Sequence, residues 1–169
     1  MNIELIEANE KLIEISCFLI KQFWKEHNGV FLDDIEIEVD YKNWTDNGHK
    51  LFLVKVEKNY IGFAHLGNRG AKIDWLEDIF IIKEYQNNGI GSKVIKKLEK
   101  YVKEYSQSLY IEVAARNLSA MRLYNKLGYD CLNTITIRKD FNEDDFDIIK
   151  REKIDGYNFN IKKYKKSTR

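Results

Sequence analysis

Between Ile73 and Tyr105 the chain passes from a nearly continuous apolar run, through Gln86-Asn87-Asn88-Gly89-Ile90-Gly91-Ser92, into a helical stripe of Val94, Ile95, Leu98, Tyr101, Val102 and Tyr105. A glycine loop that feeds straight into a helix leaves backbone N–H groups unpaired beside the positive end of the helix dipole, which suits a phosphate or pyrophosphate. Two familiar phosphate loops do not fit. A dinucleotide fingerprint needs a third glycine where Val94 stands, and a P-loop needs Gly-Lys-Ser/Thr where this chain has Gly91-Ser92-Lys93. The ligand expected of such a loop is a nucleotide-like anion.

Other residues could move protons. Glu77 and Asp78 interrupt the apolar run ahead of the loop. In a regular strand Glu77 shares a face with Trp75 and Ile79, and Asp78 with Leu76 and Phe80. Apolar surroundings raise a carboxylate's pKa toward the range of a general base. The competing reading is a carboxylate bound to backbone amides at a strand irregularity. Asn117 and Tyr124 stand seven residues, about two helical turns, apart and so project from one side of a helix. A phenol placed there could protonate a leaving group; it could equally be a core aromatic beside Met121 and Leu127. His27, His49 and His65 lack ligand spacing and read as surface or core histidines, so no metal is expected. Cys17 and Cys131 are too few for a disulfide framework; they read as small core residues in a reducing compartment.

The elements that must position these residues follow from periodicity. A short strand at Ile3 to Ile6 precedes an amphipathic helix carrying Leu12, Ile15, Leu19 and Phe23, which stops near Asn28-Gly29. Leu51 to Val56 and Tyr60 to Leu66 read as a hairpin about Glu57-Lys58-Asn59, and Ile73 to Ile82 as a central strand covered on both faces. After the glycine loop and its helix come a short strand at Leu109 to Val113, a helix from Asn117 to Leu127 ended by Gly128, and a strand from Cys131 to Ile137. The acidic segment Asn142 to Glu152 is compatible with a helix, and Tyr157 to Tyr164 with a last strand. This order describes a mixed α/β sandwich.

With 169 residues, 44% hydrophobic and 33% charged, and with no repeat, linker or proline to mark a boundary, a single globular domain over 1–169 is expected, with a core at 3–140 and an extension at 141–169. A net charge of +1 gives no global pull toward nucleic acid, so none is expected as a partner. Two local patches stand out: the acidic run Asp33, Asp34, Glu36, Glu38 and Asp40, and the basic C-terminus Lys162, Lys163, Lys165, Lys166 and Arg169. The plain reading is a solvated face and a frayed tail. The apolar stretch from Leu12 to Ile20 contains Glu14 and follows acidic residues. It fits neither a signal peptide nor a membrane span, which leaves the cytoplasm as the default and no membrane partner.

The loop pattern Gln-x-x-Gly-x-Gly resembles the pyrophosphate loop of the GCN5-related N-acetyltransferase (GNAT) superfamily. Trp75-Leu76-Glu77-Asp78-Ile79-Phe80-Ile81 precedes it at that family's offset. The block Ala115-Arg116-Asn117, Ala120, Leu123-Tyr124, Lys126, Gly128-Tyr129 follows about 25 residues later. The resemblance covers roughly Ile3 to Ile137, and the Trp-Leu-Glu-Asp stretch is most similar to small-molecule amine acetyltransferases. It implies an α/β (α+β) fold: a mostly antiparallel sheet of six to seven strands, about four flanking helices, and a splayed parallel strand pair at the CoA site. It also implies acetyl-CoA as co-substrate and a primary amine as acceptor. Gln86, Asn87, Asn88, Gly89, Ile90, Gly91 and Ser92 would hold the diphosphate, while Phe80, Ile81 and Ile82 would pair through their backbone with the pantetheine arm. Asn117 would contact that arm, Tyr124 would protonate the thiolate, and Glu77, or a water it orients, would be the base, with Asp78 an alternative. Asp33 and Asp34, with Glu77 and Asp78, would attract a cationic acceptor. Lys83 stands where the family often has proline, and Asn87 and Asn88 where it has glycine or a basic residue, which weakens any basic phosphate contact there. Protein N-terminal or lysine acetylation, and a non-catalytic CoA-binding or nucleic-acid-associated module, are the competing functions. A homodimer is compatible with the sequence.

Overall fold

A computed structural model describes residues 2–165, so Lys166 and Arg169 of the basic terminus lie outside the described residues. The chain divides into two compact units, residues 1–112 and 113–169.

The first unit holds a five-stranded sheet in the order β1-β2-β3-β4-β5: β1 Ile3–Glu7, β2 His49–Val56, β3 Asn59–Asn68, β4 Ile73–Ile81 and β5 Tyr110–Ile111. All neighbours are antiparallel except β4 and β5, whose parallel pairing is limited to Trp75↔Tyr110 and Leu76↔Ile111. Three helices cover it: α1 Ile13–Phe23, α2 Asp34–Thr45 and α3 Ile90–Lys103. On one face Leu19, Ile20 and Phe23 of α1 and Ile37, Tyr41 and Trp44 of α2 pack on Leu51, Leu53, Phe63 and Phe80. Each side chain so buried contributes about 1.5–3 kcal/mol. On the other face α3 buries Ile90, Val94, Ile95, Leu98 and Val102, and its Tyr101 meets Phe52 edge-on.

Helix α2 is absent from the periodicity reading, because its acidic residues obscure a stripe of Ile37, Tyr41 and Trp44 at i, i+4 and i+7. Asp33 starts it with a capping box: its carboxylate accepts from the Glu36 N–H (2.9 Å), and the Glu36 carboxylate accepts from the Asp33 N–H (2.9 Å). The acidic run is therefore a helix with a buried face.

The second unit contains α4 Leu118–Lys126 and a two-stranded antiparallel sheet of β6 Phe146–Ile154 and β7 Tyr157–Tyr164. Seven strands thus form among the described residues, five in one sheet and two in another. Several expectations fail here. The acidic segment is no helix: only Glu143–Asp145 makes a 3-10 turn, and the rest pairs with β7 through a hairpin whose Asp155 (φ 47°) and Gly156 (φ 84°) supply the turn geometry. Residues 131–137 alternate like a strand but pair with none among the described residues. Ile137 and Leu132 are exposed, as is Cys131, which is not a core residue. Alternation supplies propensity; a partner edge must supply the hydrogen bonds. Nor are Lys162 and Lys163 a frayed tail, for both lie within β7. Lys162 and Arg138 each pair with the nearly buried Asp140 at 3.0 Å, and Arg138 also lies over the Phe146 ring.

Candidate active site

Strand β4 is irregular where its carboxylates stand. His65 pairs with Asp78 and Leu66 with Leu76, so Glu77 is an extra residue, a bulge. A bulge undoes alternation. Asp78 therefore lies on the face of His65, opposite Leu76, and not with Leu76 as a regular strand would have it. Glu77 points to that same face, over Gly67, where a Cβ would come within 2.8 Å of its Cγ. Two successive carboxylates thus face the side covered by α1 and α2.

Their surroundings differ. Both oxygens of Glu77 accept from Arg69, at 2.9 Å from Nε and 2.5 Å from Nη2. Arg69 also reaches Glu112 and lies 4.2 Å from the Trp75 ring centroid. The two carboxylates raise the Arg69 pKa above its already high ordinary value. Asp78 instead lies 3.1 Å from Nδ1 of His65, a ring 3% exposed and stacked on Trp44 at 4.7 Å. Nε2 of His65 is in turn 2.9 Å from Nδ1 of His49. The two histidines expected to be unremarkable are the middle and end of a three-residue chain across β2, β3 and β4. Burial, then His65, lowers the His49 pKa from its ordinary value, so its ring is neutral at pH 7.

Beyond Leu76 no strand among the described residues pairs with the β5 side of β4. The Ile82 N–H donates to Ile61 O (2.9 Å), so it faces β3 and does not serve as an outward donor. By strand alternation Ile81, between Phe80 and Ile82, presents its N–H and C=O on the open edge. The Ile81 carbonyl accepts from the Gln86 side chain at 2.7 Å. Gln86 thereby ties the glycine loop to the strand. Asn87 (φ 61°) and Gly89 (φ 72°) are left-handed, and the Asn88 side chain donates to Gln86 O. Gly89 caps α3 with no side-chain bond, and the first turn, with Ile90, Gly91 and Ser92, has no acidic residue. A Cβ at Gly89 or Gly91 would meet nothing within 4 Å, so the main chain is open to an incoming group. These are the features a diphosphate requires.

In the second unit Asn117 caps α4, its side-chain oxygen accepting from the Ala120 N–H (3.2 Å) and the Ser119 hydroxyl (2.9 Å). Tyr124 lies two turns on, half-buried, edge-on to Tyr129 at 6.1 Å, and burial raises its pKa, keeping the phenol protonated.

The acidic run is largely committed within the first unit. Asp33 is the cap described above. Asp34 accepts from Lys21 at 2.6 Å, which lowers its pKa, and Asp40 accepts from Trp24 Nε1 at 2.7 Å, with burial raising its pKa nonetheless. No group of His, Cys, Asp and Glu able to hold a metal occurs among the described residues. No helix among them is long and apolar enough to cross a membrane.

The glycine turn opening α3 follows the bulged β4 and its short parallel pair with β5, and the model of the acetyltransferase (GNAT) family matches residues 17–129. The chain belongs to the GNAT family. A spermine/spermidine N(1)-acetyltransferase of Bacillus subtilis (strain 168) is 30% identical over 83 residues, covering 43% of this chain and 54% of that protein. The GNAT chain thus spans about half the length of the curated relatives it matches first. Among solved structures, an aminoglycoside N-acetyltransferase, AAC(6')-Iy, in complex with CoA matches it with a TM-score of 0.66 at 16% identity, over 83% of this chain and 96% of that one. A spermidine N-acetyltransferase from Vibrio cholerae, in complex with CoA and spermine, matches with a TM-score of 0.60 at 22% identity, over 75% and 79%. At such identities these structures share the fold with this GNAT protein.

Proposed function

We propose that this GNAT protein transfers an acetyl group from acetyl-CoA to the primary amine of a small cationic acceptor, as one acetyltransferase domain over 1–169. The observation that carries the reading is the open turn from Asn88 to Ser92 at the start of α3, with Gly89 left-handed, no side-chain cap and no acidic neighbour in the first turn. Gln86 and Asn87 shape that turn and its backbone amides bind the diphosphate, while Phe80, Ile81 and Ile82 form the strand end along which the pantetheine arm lies. Acetyl-CoA, when bound, supplies an acetyl group activated as a thioester.

The chain's own residues then have three tasks. Ile81 offers an outward N–H to the developing oxyanion. Tyr124, whose proton burial retains, protonates the departing thiolate, and Asn117 sets the start of its helix and contacts the CoA arm. An alkylammonium with a pKa of about 10 must lose a proton before it can attack. Both Glu77 oxygens are engaged by Arg69, so Glu77 acts by fixing the bulge and orienting a water through which that proton leaves. Of the four carboxylates expected to attract a cationic acceptor, Asp33 is spent in the cap, Asp34 on Lys21 and Glu77 on Arg69, so Asp78 is the one whose charge acts on this face. The polyamine and aminoglycoside acetyltransferases among the relatives support an acceptor of that class.

The test is thiol release from acetyl-CoA across polyamines, aminoglycosides, amino acids and peptides. Small polycations should outperform the others; better turnover of peptides would favour a protein acetyltransferase. Tight acetyl-CoA binding without thiol release would sink the catalytic reading.

A further inference from the structure

The Asp78–His65–His49 chain is built from three strands. His49 is opposite Gly67 and Leu51 opposite His65, so the two imidazoles are diagonal neighbours on one sheet face. The β4 bulge brings Asp78 beneath His65 on that face. With Asp78 ionised, its carboxylate can only accept, so Nδ1 of His65 carries the hydrogen at 3.1 Å. Nε2 of His65 is then an acceptor, Nδ1 of His49 donates to it at 2.9 Å, and Nε2 of His49 is left with a lone pair. The hydrogen-bond polarity admits an extra proton only at the His49 end. His49 is half-buried, pairs at the level of Gly67, and feels the charge of Glu77, so its ring stands beside the bulge.

We propose that His49 takes the proton from the acceptor amine, with His65 and Asp78 as positioning residues that orient its ring and hold the resulting charge. This rests on the transferase reading above. In the step, an N–H bond of the ammonium, or of a water that hydrogen-bonds it, breaks as the Nε2–H bond of His49 forms. The Nδ1–H bond of His49 breaks as the Nε2–H bond of His65 forms. The positive charge ends on His65, between the Asp78 carboxylate and the face of Trp44, which lies 13° from parallel with the imidazole. The freed amine lone pair attacks the thioester carbonyl, and the stored proton leaves to solvent by the reverse path. The arrangement is that of a base oriented by a second group that a carboxylate holds in turn. The charged groups facing the pair are Asp40 of α2, Asp46 just after it, and Glu77 and Asp78 of β4.

Two measurements on the full chain test this. Nitrogen-15 NMR of the imidazole rings at pH 8 should find Nδ1 of both His49 and His65 protonated and their Nε2 atoms bare. A protonated Nε2 on His65 would overturn the relay whatever the enzyme does. Thiol release with acetyl-CoA is then followed against pH with whichever of spermine, neamine or lysine turns over fastest. His49→Gln should lower kcat/KM about 10²-fold at pH 7.5, leave the KM for acetyl-CoA unchanged, and recover as the pH nears the amine pKa of about 10. Asp78→Asn should lower the rate and also move the acid limb to lower pH, which a merely structural role would not do, and it carries the test should His49→Gln fail to fold. A His49→Gln profile like that of the wild type would overturn the relay alone. No thiol release by the wild type with any of the amines would overturn the transferase reading and the role of His49 with it.

Discussion

At the residue scale, Glu77 and Asp78 are neighbours with different chemistry because their partners differ. Arg69 clamps one from two sides, and a buried imidazole holds the other by one oxygen. Nothing in Trp75-Leu76-Glu77-Asp78 announces this, since His65 comes from β3 and Arg69 from the bend just after it. Tyr124 was legible through its block and its distance from Asn117. Tyr124→Phe should cut turnover about 10²-fold while sparing acetyl-CoA affinity by calorimetry; unchanged turnover would remove the phenol from the mechanism. Asp40 titrates against the usual carboxylate direction: burial raises its pKa above 3.8 despite the Trp24 bond. The folded state then binds more protons than the unfolded one just above pH 3.8, so this contribution to stability is present at low pH and lost as pH rises through the folded pKa. Asp40→Asn, which keeps an acceptor for Trp24, should raise the urea midpoint at pH 8, with the gain closing as pH falls below about 3.8.

At the element scale, β1, the β2–β3 hairpin, β4, the glycine loop, α3 and α4 were readable because each carries its own period, turn or cap. Helix α2 also had its signal, Asp33-x-x-Glu36 followed by Ile37, Tyr41 and Trp44, hidden by reading the acidic run only as charge. Asp33→Ala should cost about 1 kcal/mol in denaturant unfolding. The β3–β4 contact is less forgiving. A Cβ at Gly62 would fall 2.0 Å from Phe80 O and 2.9 Å from Ile81 Cα, both main-chain atoms. Gly62→Ala should destabilise by about 3 kcal/mol or prevent folding. At Gly89 a Cβ would meet nothing within 4 Å, but Gly89→Val imposes a β-branched residue at φ 72°, so it should weaken acetyl-CoA binding by distorting the turn, at a stability cost of about 1–3 kcal/mol.

At the scale of the whole molecule, pH acts through the buried polar chain. Since burial lowers the His49 pKa below 6.5, the unfolded state binds more protons between the folded pKa and 6.5. Stability should fall as pH drops from about 6.5 through the folded pKa, and His49→Gln should flatten that part of a denaturation-versus-pH curve. By itself the sequence determined what is local or carried by a contiguous motif: the glycine turn that opens α3, the strands and helices through α4 apart from α2, the GNAT resemblance and the position of Tyr124 two turns after Asn117. Only the tertiary structure decided what depends on register. Counted from the turn at Glu57-Lys58, the hairpin would put His65 opposite Lys50 and its ring on the face away from His49. The irregularity at Val54/Lys55 shifts the pairing by one residue and brings the two rings together. A second irregularity, at Glu77, turns Asp78 toward them. The same logic explains residues 131–137, which alternate without a partner, and residues 146–154, which pair although their charges suggest otherwise. Propensity belongs to a segment, whereas facing and pairing belong to the strands beside it, so one inserted residue re-aims every side chain beyond it.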